Sequence, residues 1–137
     1  MGAPFRIRQL DHLVLRVADL QRSVDFYCGI LGCTQERHQQ ELGLMQLRAG
    51  GSLIDLVPLA GKLGAAGGAG PGEQGRNVDH FCLRIEPFDA VAIAAHLRHH
   101  GLDPGEPKPR FGAEGRGPSL YVTDPDGNVV ELKGPPE

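Results

Sequence analysis

The chain has 137 residues and a mass of 14.7 kDa, the size of one compact domain able to bury a core without disulfide staples. With 20 glycines and 11 prolines it is rich in turns, which favours short strands over a helical bundle. A net charge of −3 and a pI near 6.0 argue against a nucleic-acid binder, and no apolar run approaches the ~20 residues of a membrane span.

The N-terminal run MGAPFRIRQLDH carries no apolar signal segment, and Arg6 stands where a myristoylation signal needs Ser or Thr. Cys28, Cys33 and Cys82 are odd in number and lack CxxC spacing, so reduced thiols in a cytoplasmic protein are expected. Leu10–Val17 (LDHLVLRV) reads as a strand. A helix is expected over residues 19–32, with Asp19 as N-cap, Leu20, Val24, Tyr27 and Leu31 at helical spacing, and Gly32 closing it. A polar edge strand over 34–40 and its partner over 43–48 come next. Ala49-Gly50-Gly51 then turns the chain into a strand over 52–58. Residues 60–77 form a glycine-rich linker expected to hold no regular structure.

The octapeptide VDHFCLRI at 78–85 repeats the frame of LDHLVLRV, about 68 residues downstream. A helix over 88–100, a proline-broken edge over 103–110, a strand over 118–123 and a final strand over 128–133 complete a second βαβββ plan. The chain is therefore expected to be one α+β domain of two modules, about 8–59 and 78–134. FGAEGRG (111–117) reads as a mobile loop able to approach a ligand.

Alternation along the strands separates an aliphatic face from a polar one. His12 and Arg16, Asp55, His80 with Cys82 and Arg84, Tyr121, and Glu131 all fall on the second kind of face. Val14, Leu53, Cys82 and Val129 share that face, so it reads as half buried. Two imidazoles and two carboxylates on one concave surface suit Zn, Ni, Fe, Co or Mn. A lone strand histidine is more often a packed or solvated group. The repeat-matched pair His12 and His80, with Glu131, reverses that balance in favour of a metal. Arg16 and Arg84 are read evenly as salt-bridged surface groups or as anchors for an anionic substrate, and Tyr121 as packing. Arg16 lies four residues past His12, about 13 Å along the strand at ~3.3 Å per residue. His38, His96, His99 and His100 read as solvated.

LDHLVLRVADLQRSVDFYCGILG, the second Asp-His at 79–80 and YVTDPDGNVVELKG (121–134) resemble the vicinal oxygen chelate superfamily, the glyoxalase/bleomycin-resistance/extradiol-dioxygenase group. The resemblance covers about residues 8–134 and is strongest to glyoxalase-domain-containing proteins. It implies paired βαβββ modules in a cupped, barrel-like mixed sheet around one divalent metal. By motif position the implied ligands are His12, Asp55, His80 and Glu131. Aspartate at position 55 departs from the Glu, Gln or His of glyoxalase I-like members and is one methylene shorter, which makes it the weaker ligand. Val14 stands where the fosfomycin-resistance branch has threonine, and extradiol enzymes generally carry four modules rather than two. The bleomycin-binding branch lacks these ligands.

The implied activity is a metal-dependent glyoxalase-like lyase or isomerase acting on a small vicinal-oxygen substrate. Glu131 or Asp55 would move the proton, and Arg16, Arg84 and Tyr121 would contact substrate. An extradiol-type Fe(II) dioxygenase and a metal-free small-molecule binding or resistance protein are the alternatives. The resemblance also implies a homodimer in which modules from two chains complete the cup.

Overall fold

A computed structural model describes residues 2–137 of the chain. Its contacts divide the chain into two compact units, Met1–Gly70 and Pro71–Glu137, a division that falls inside the glycine-rich stretch.

In the first unit the elements run β1 (His12–Val17), α1 (Leu20–Val24), β2 (Thr34–Gln39), β3 (Leu44–Ala49), β4 (Ser52–Pro58) and α2 (Lys62–Ala65). The sheet order is β1-β4-β3-β2. β1 runs parallel to β4, whereas β2–β3 and β3–β4 are antiparallel. The Asp19 carboxylate accepts the Arg22 N–H at 3.1 Å, the expected N-cap. The helix departs from expectation beyond Val24, where it widens into π turns over Asp25–Ile30. This register buries both Phe26 and Tyr27, neighbours that regular α geometry sets about 100° apart. Their rings meet edge to face at 4.9 Å. They join Leu15, Val17, Met45, Leu47, Ile54 and Leu56 in the buried aliphatic set.

The 60–77 stretch is more ordered than its composition implies. It contains α2 and an isolated bridge between Gly72 and Gly75. Part of the reason is Arg16, which donates to the Gly64, Gly67, Gly68 and Ala69 carbonyls.

The second unit contains β5 (Phe81–Arg84), α3 (Ala90–His99), β6 (Lys108–Gly112), β7 (Gly115–Thr123) and β8 (Val129–Lys133), with sheet order β5-β8-β7-β6. Again the first and last strands pair in parallel and the others antiparallel. Asp89 caps α3 through the Val91 and Ala92 N–H groups, each at 3.1 Å. Ala94 and Leu97 of α3 are buried, as are Leu120, Val122, Val130 and Leu132. FGAEGRG is not a mobile loop: Gly112 pairs with Gly115, so the segment is the tight tip of the β6–β7 hairpin. Gly115, at φ +120°, adopts the backbone region that favours glycine there. Each unit is thus a βαβββ module built on a four-stranded mixed sheet, as the repeat predicts.

Candidate metal centre

The two units repeat one register. Val14 stands opposite Asp55 in the first and Cys82 opposite Glu131 in the second, each two residues past a histidine. His12 opens β1 and His80 immediately precedes β5. Each imidazole is held by the aspartate before it, His12 Nδ1 to Asp11 at 2.7 Å and His80 Nδ1 to Asp79 at 2.6 Å. A carboxylate partner on Nδ1 fixes the tautomer that leaves Nε2 as the ligating nitrogen. In both units Nε2 lies beside a carboxylate. His80 Nε2 is 3.3 Å from Glu131 Oε1, and His12 Nε2 is 3.9 Å from Asp55 Oδ2.

The carboxylates are buried and the imidazoles half exposed, with side-chain exposures of 9% and 5% for Glu131 and Asp55 against 43% and 46% for His80 and His12. Glu131 accepts a 2.6 Å bond from the Ser119 hydroxyl, itself buried, which orients its second oxygen. Asp55 is held more loosely by the Gln46 amide, 3.4 Å from both oxygens. The hydrogen bond that Asp11 accepts from His12 and the nearby charge of Asp55 raise the His12 pKa above its ordinary value. Desolvation, with the Glu131 carboxylate adding to it, pushes the Cys82 thiol up to about 11, so it is no ready nucleophile.

These donors fit a divalent metal. Nitrogen and carboxylate ligands at about 2.0–2.2 Å, separated by octahedral to tetrahedral angles, lie about 3.0–3.4 Å from each other. The His80–Glu131 separation falls in that range. The His12–Asp55 separation exceeds it, as the shorter aspartate side chain requires. Among the described residues no group of three or more His, Cys, Asp or Glu gathers around a single point, so each unit offers one imidazole–carboxylate pair.

Of the other residues expected at the site, Tyr121 stands opposite Glu131 in register, with its ring 6.3 Å from that of His80. Arg84 pairs with Glu114 at 2.7 Å and donates to the Ile85 carbonyl at 2.6 Å. The Arg16 guanidinium donates to backbone carbonyls of residues 64–69, at 2.5–3.4 Å. Four polar residues were not singled out by sequence reasoning: Asp11, Asp79, Ser119 and Gln46. The first two were detectable as the repeated Asp before each His. Ser119 and Gln46 become meaningful only with the cross-strand placement in hand.

Comparison with known proteins agrees with this architecture. Residues 9–132 match the Glyoxalase/Bleomycin resistance protein/Dioxygenase superfamily. The chain is 36% identical over 132 residues to the glyoxalase domain-containing protein RDO1 of Mycosarcoma maydis, covering 92% of this chain and 68% of that one. It is 30% identical over 130 residues to lactoylglutathione lyase of Escherichia coli O157:H7, covering 90% of both. Among solved structures, virulence protein STM3117 from Salmonella typhimurium superposes with a TM-score of 0.78 at 25% identity, over 96% of this chain and 99% of that one. With two βαβββ units, a repeated Asp-His pair and these relatives, the chain belongs to the glyoxalase/bleomycin resistance protein/dioxygenase superfamily.

Proposed function

We propose that this protein is a divalent-metal-dependent, glyoxalase-like lyase or isomerase acting on a small substrate with adjacent oxygen atoms. The observation that carries the reading is the twice-repeated arrangement in which an aspartate holds Nδ1 of a histidine and a buried carboxylate faces Nε2. His12, His80 and Glu131 would hold the ion and Asp55 would be the weaker fourth ligand. Zn, Ni, Fe, Mn and Co all suit this set. When bound, the ion supplies Lewis-acid stabilisation of negative charge developing on substrate oxygen.

The protein's own part is proton movement and positioning. A carboxylate is the natural carrier of a proton between neighbouring carbons, and Glu131 and Asp55 are the two available. Glu131 is buried and oriented by Ser119, which fixes its basic oxygen. Asp55, farther from its histidine and loosely held, is the freer base. Tyr121, half-buried opposite Glu131, and Arg84 would line the substrate side. The half-exposed imidazoles in both units support a working homodimer in which a second chain covers them.

Protein purified without chelators should retain about one divalent ion per His–His–Glu set. A screen across metals and hemithioacetal, catechol and epoxide substrates should show turnover that chelation abolishes and metal restores. Metal-free protein with chelator-insensitive turnover or none on any of these substrates would overturn the proposal.

A further inference from the structure

The C-terminal end of α3 carries three imidazoles that the proposed centre does not use. His96 lies in the last turn of α3 and His100, four residues on, is its C-cap residue. Their ring centroids are 5.0 Å apart, and the His99 ring lies 5.3 Å from that of His100. All three residues are exposed.

We propose that His96 and His100 form a second metal site, a surface chelate for a borderline divalent ion, with Cu(II) the strongest binder and Zn(II) weaker. The spacing of the rings carries the argument. An imidazole nitrogen ligates at about 2.0–2.1 Å, which puts the ring centroid about 3.2 Å from the ion. Two such rings bound side by side have centroids about 4.5 Å apart at the 90° angle of a tetragonal Cu(II) site and about 5 Å apart at a tetrahedral angle, and His96 and His100 stand 5.0 Å apart. Side-chain rotation would bring one nitrogen of each ring to a shared ion, with water completing the coordination.

Electrostatics favours a cation at this place. The negative end of the helix dipole lies at this last turn, and α3, at ten residues, has a full one, although the Leu97 and Arg98 carbonyls already accept backbone N–H groups. Arg98, on the same turn, is matched by Asp103 at 3.4 Å. Two nitrogen ligands on one helix rank Cu(II) above Ni(II) and Zn(II) by the ordinary order of divalent affinities.

The test uses the full chain and Cu(II) in a non-coordinating buffer, with His12→Ala and His80→Ala introduced together so that the centre proposed above does not contribute. This variant should bind one Cu(II) per chain, with electron paramagnetic resonance showing hyperfine splitting from two imidazole nitrogens. Adding His96→Gln and His100→Gln should weaken that binding at least tenfold while the circular dichroism spectrum stays unchanged. In the wild-type background the same two Gln substitutions should remove one equivalent of bound Cu(II), a readout that does not depend on the folding of the Ala variant. Equal stoichiometry and affinity with and without His96 and His100 would overturn the proposal. A loss produced by His99→Gln but not by His96→Gln would overturn the assignment to this pair. Neither result touches the lyase reading, which is tested by turnover and by Glu131.

Discussion

At the level of single residues, the two halves of the proposed centre are unequal, and the inequality makes predictions. His80 and Glu131 stand 3.3 Å apart with the carboxylate tied to Ser119, whereas His12 and Asp55 stand 3.9 Å apart with a loosely held carboxylate. Replacing His12, His80 or Glu131 by Ala should strip most of the metal. Asp55→Ala should cost less metal, measured by elemental analysis of the purified variants, yet lower turnover sharply where Asp55 is the base. Unchanged metal in His80→Ala would defeat the assignment. Asp11 and Asp79 stand one step back: each holds an imidazole through Nδ1 and would not touch the proposed ion. Asp79→Asn keeps the size but weakens that hydrogen bond. It should lower metal affinity about 10–100-fold, with thermal stability nearly unchanged, as read by titration against a competing chelator. The imidazoles and carboxylates were legible because strand alternation and a repeated octapeptide place them. Ser119 was not, since nothing in PSLYVT distinguishes a serine that orients a carboxylate from one that packs.

Among the elements, order in the glycine-rich stretch depends on how it closes against β1 and β4. Gly64 lies where an added Cβ would run into the backbone of Pro58 and Val57, and its carbonyl accepts from Arg16 Nε and Nη2 at 3.0 and 2.8 Å. Gly64→Ala should therefore push α2 away from β4, at a cost of about 1–3 kcal/mol. Arg16→Lys keeps the charge but loses the planar fork that reaches several carbonyls. It should lower the melting temperature and speed proteolysis within residues 60–70, with KM for the surviving enzyme unchanged. A raised KM with unchanged stability would instead restore Arg16 to the substrate. Composition alone misread this stretch because the ordering groups belong to Arg16, some fifty residues earlier. The same limit applies to FGAEGRG, whose glycines signal flexibility in isolation but close a hairpin once β6 and β7 pair. The π turns after Val24 were equally hidden, because the spacing of Leu20, Val24, Tyr27 and Leu31 fits an α-helix and only core packing shows why Phe26 must turn inward with Tyr27.

For the whole molecule, the repeat made both βαβββ units legible, because each needs the same order of apolar strands and one amphipathic helix. The homodimer is an expectation of the family resemblance alone, and the structure adds a surface that bears on it. Phe5, Ile7 and Leu10 are 68%, 87% and 86% exposed, and Val14 on β1 is 48% exposed. Scattered apolar residues on a surface need no explanation, but four within ten residues leading into the edge strand that carries His12 form a run. A second chain covering this run would bury both it and the half-exposed imidazole. The expected species in solution is a dimer of about twice 14.7 kDa at micromolar concentration. Ile7→Asp combined with Leu10→Asp adds charge where an apolar contact is needed without altering either core. The double variant should sediment as a folded monomer and lose turnover, while its circular dichroism matches that of the parent. Light scattering that finds the parent itself monomeric would remove the dimer. A dimer that survives both substitutions would place its interface away from this run, leaving the N-terminal residues as ordinary surface.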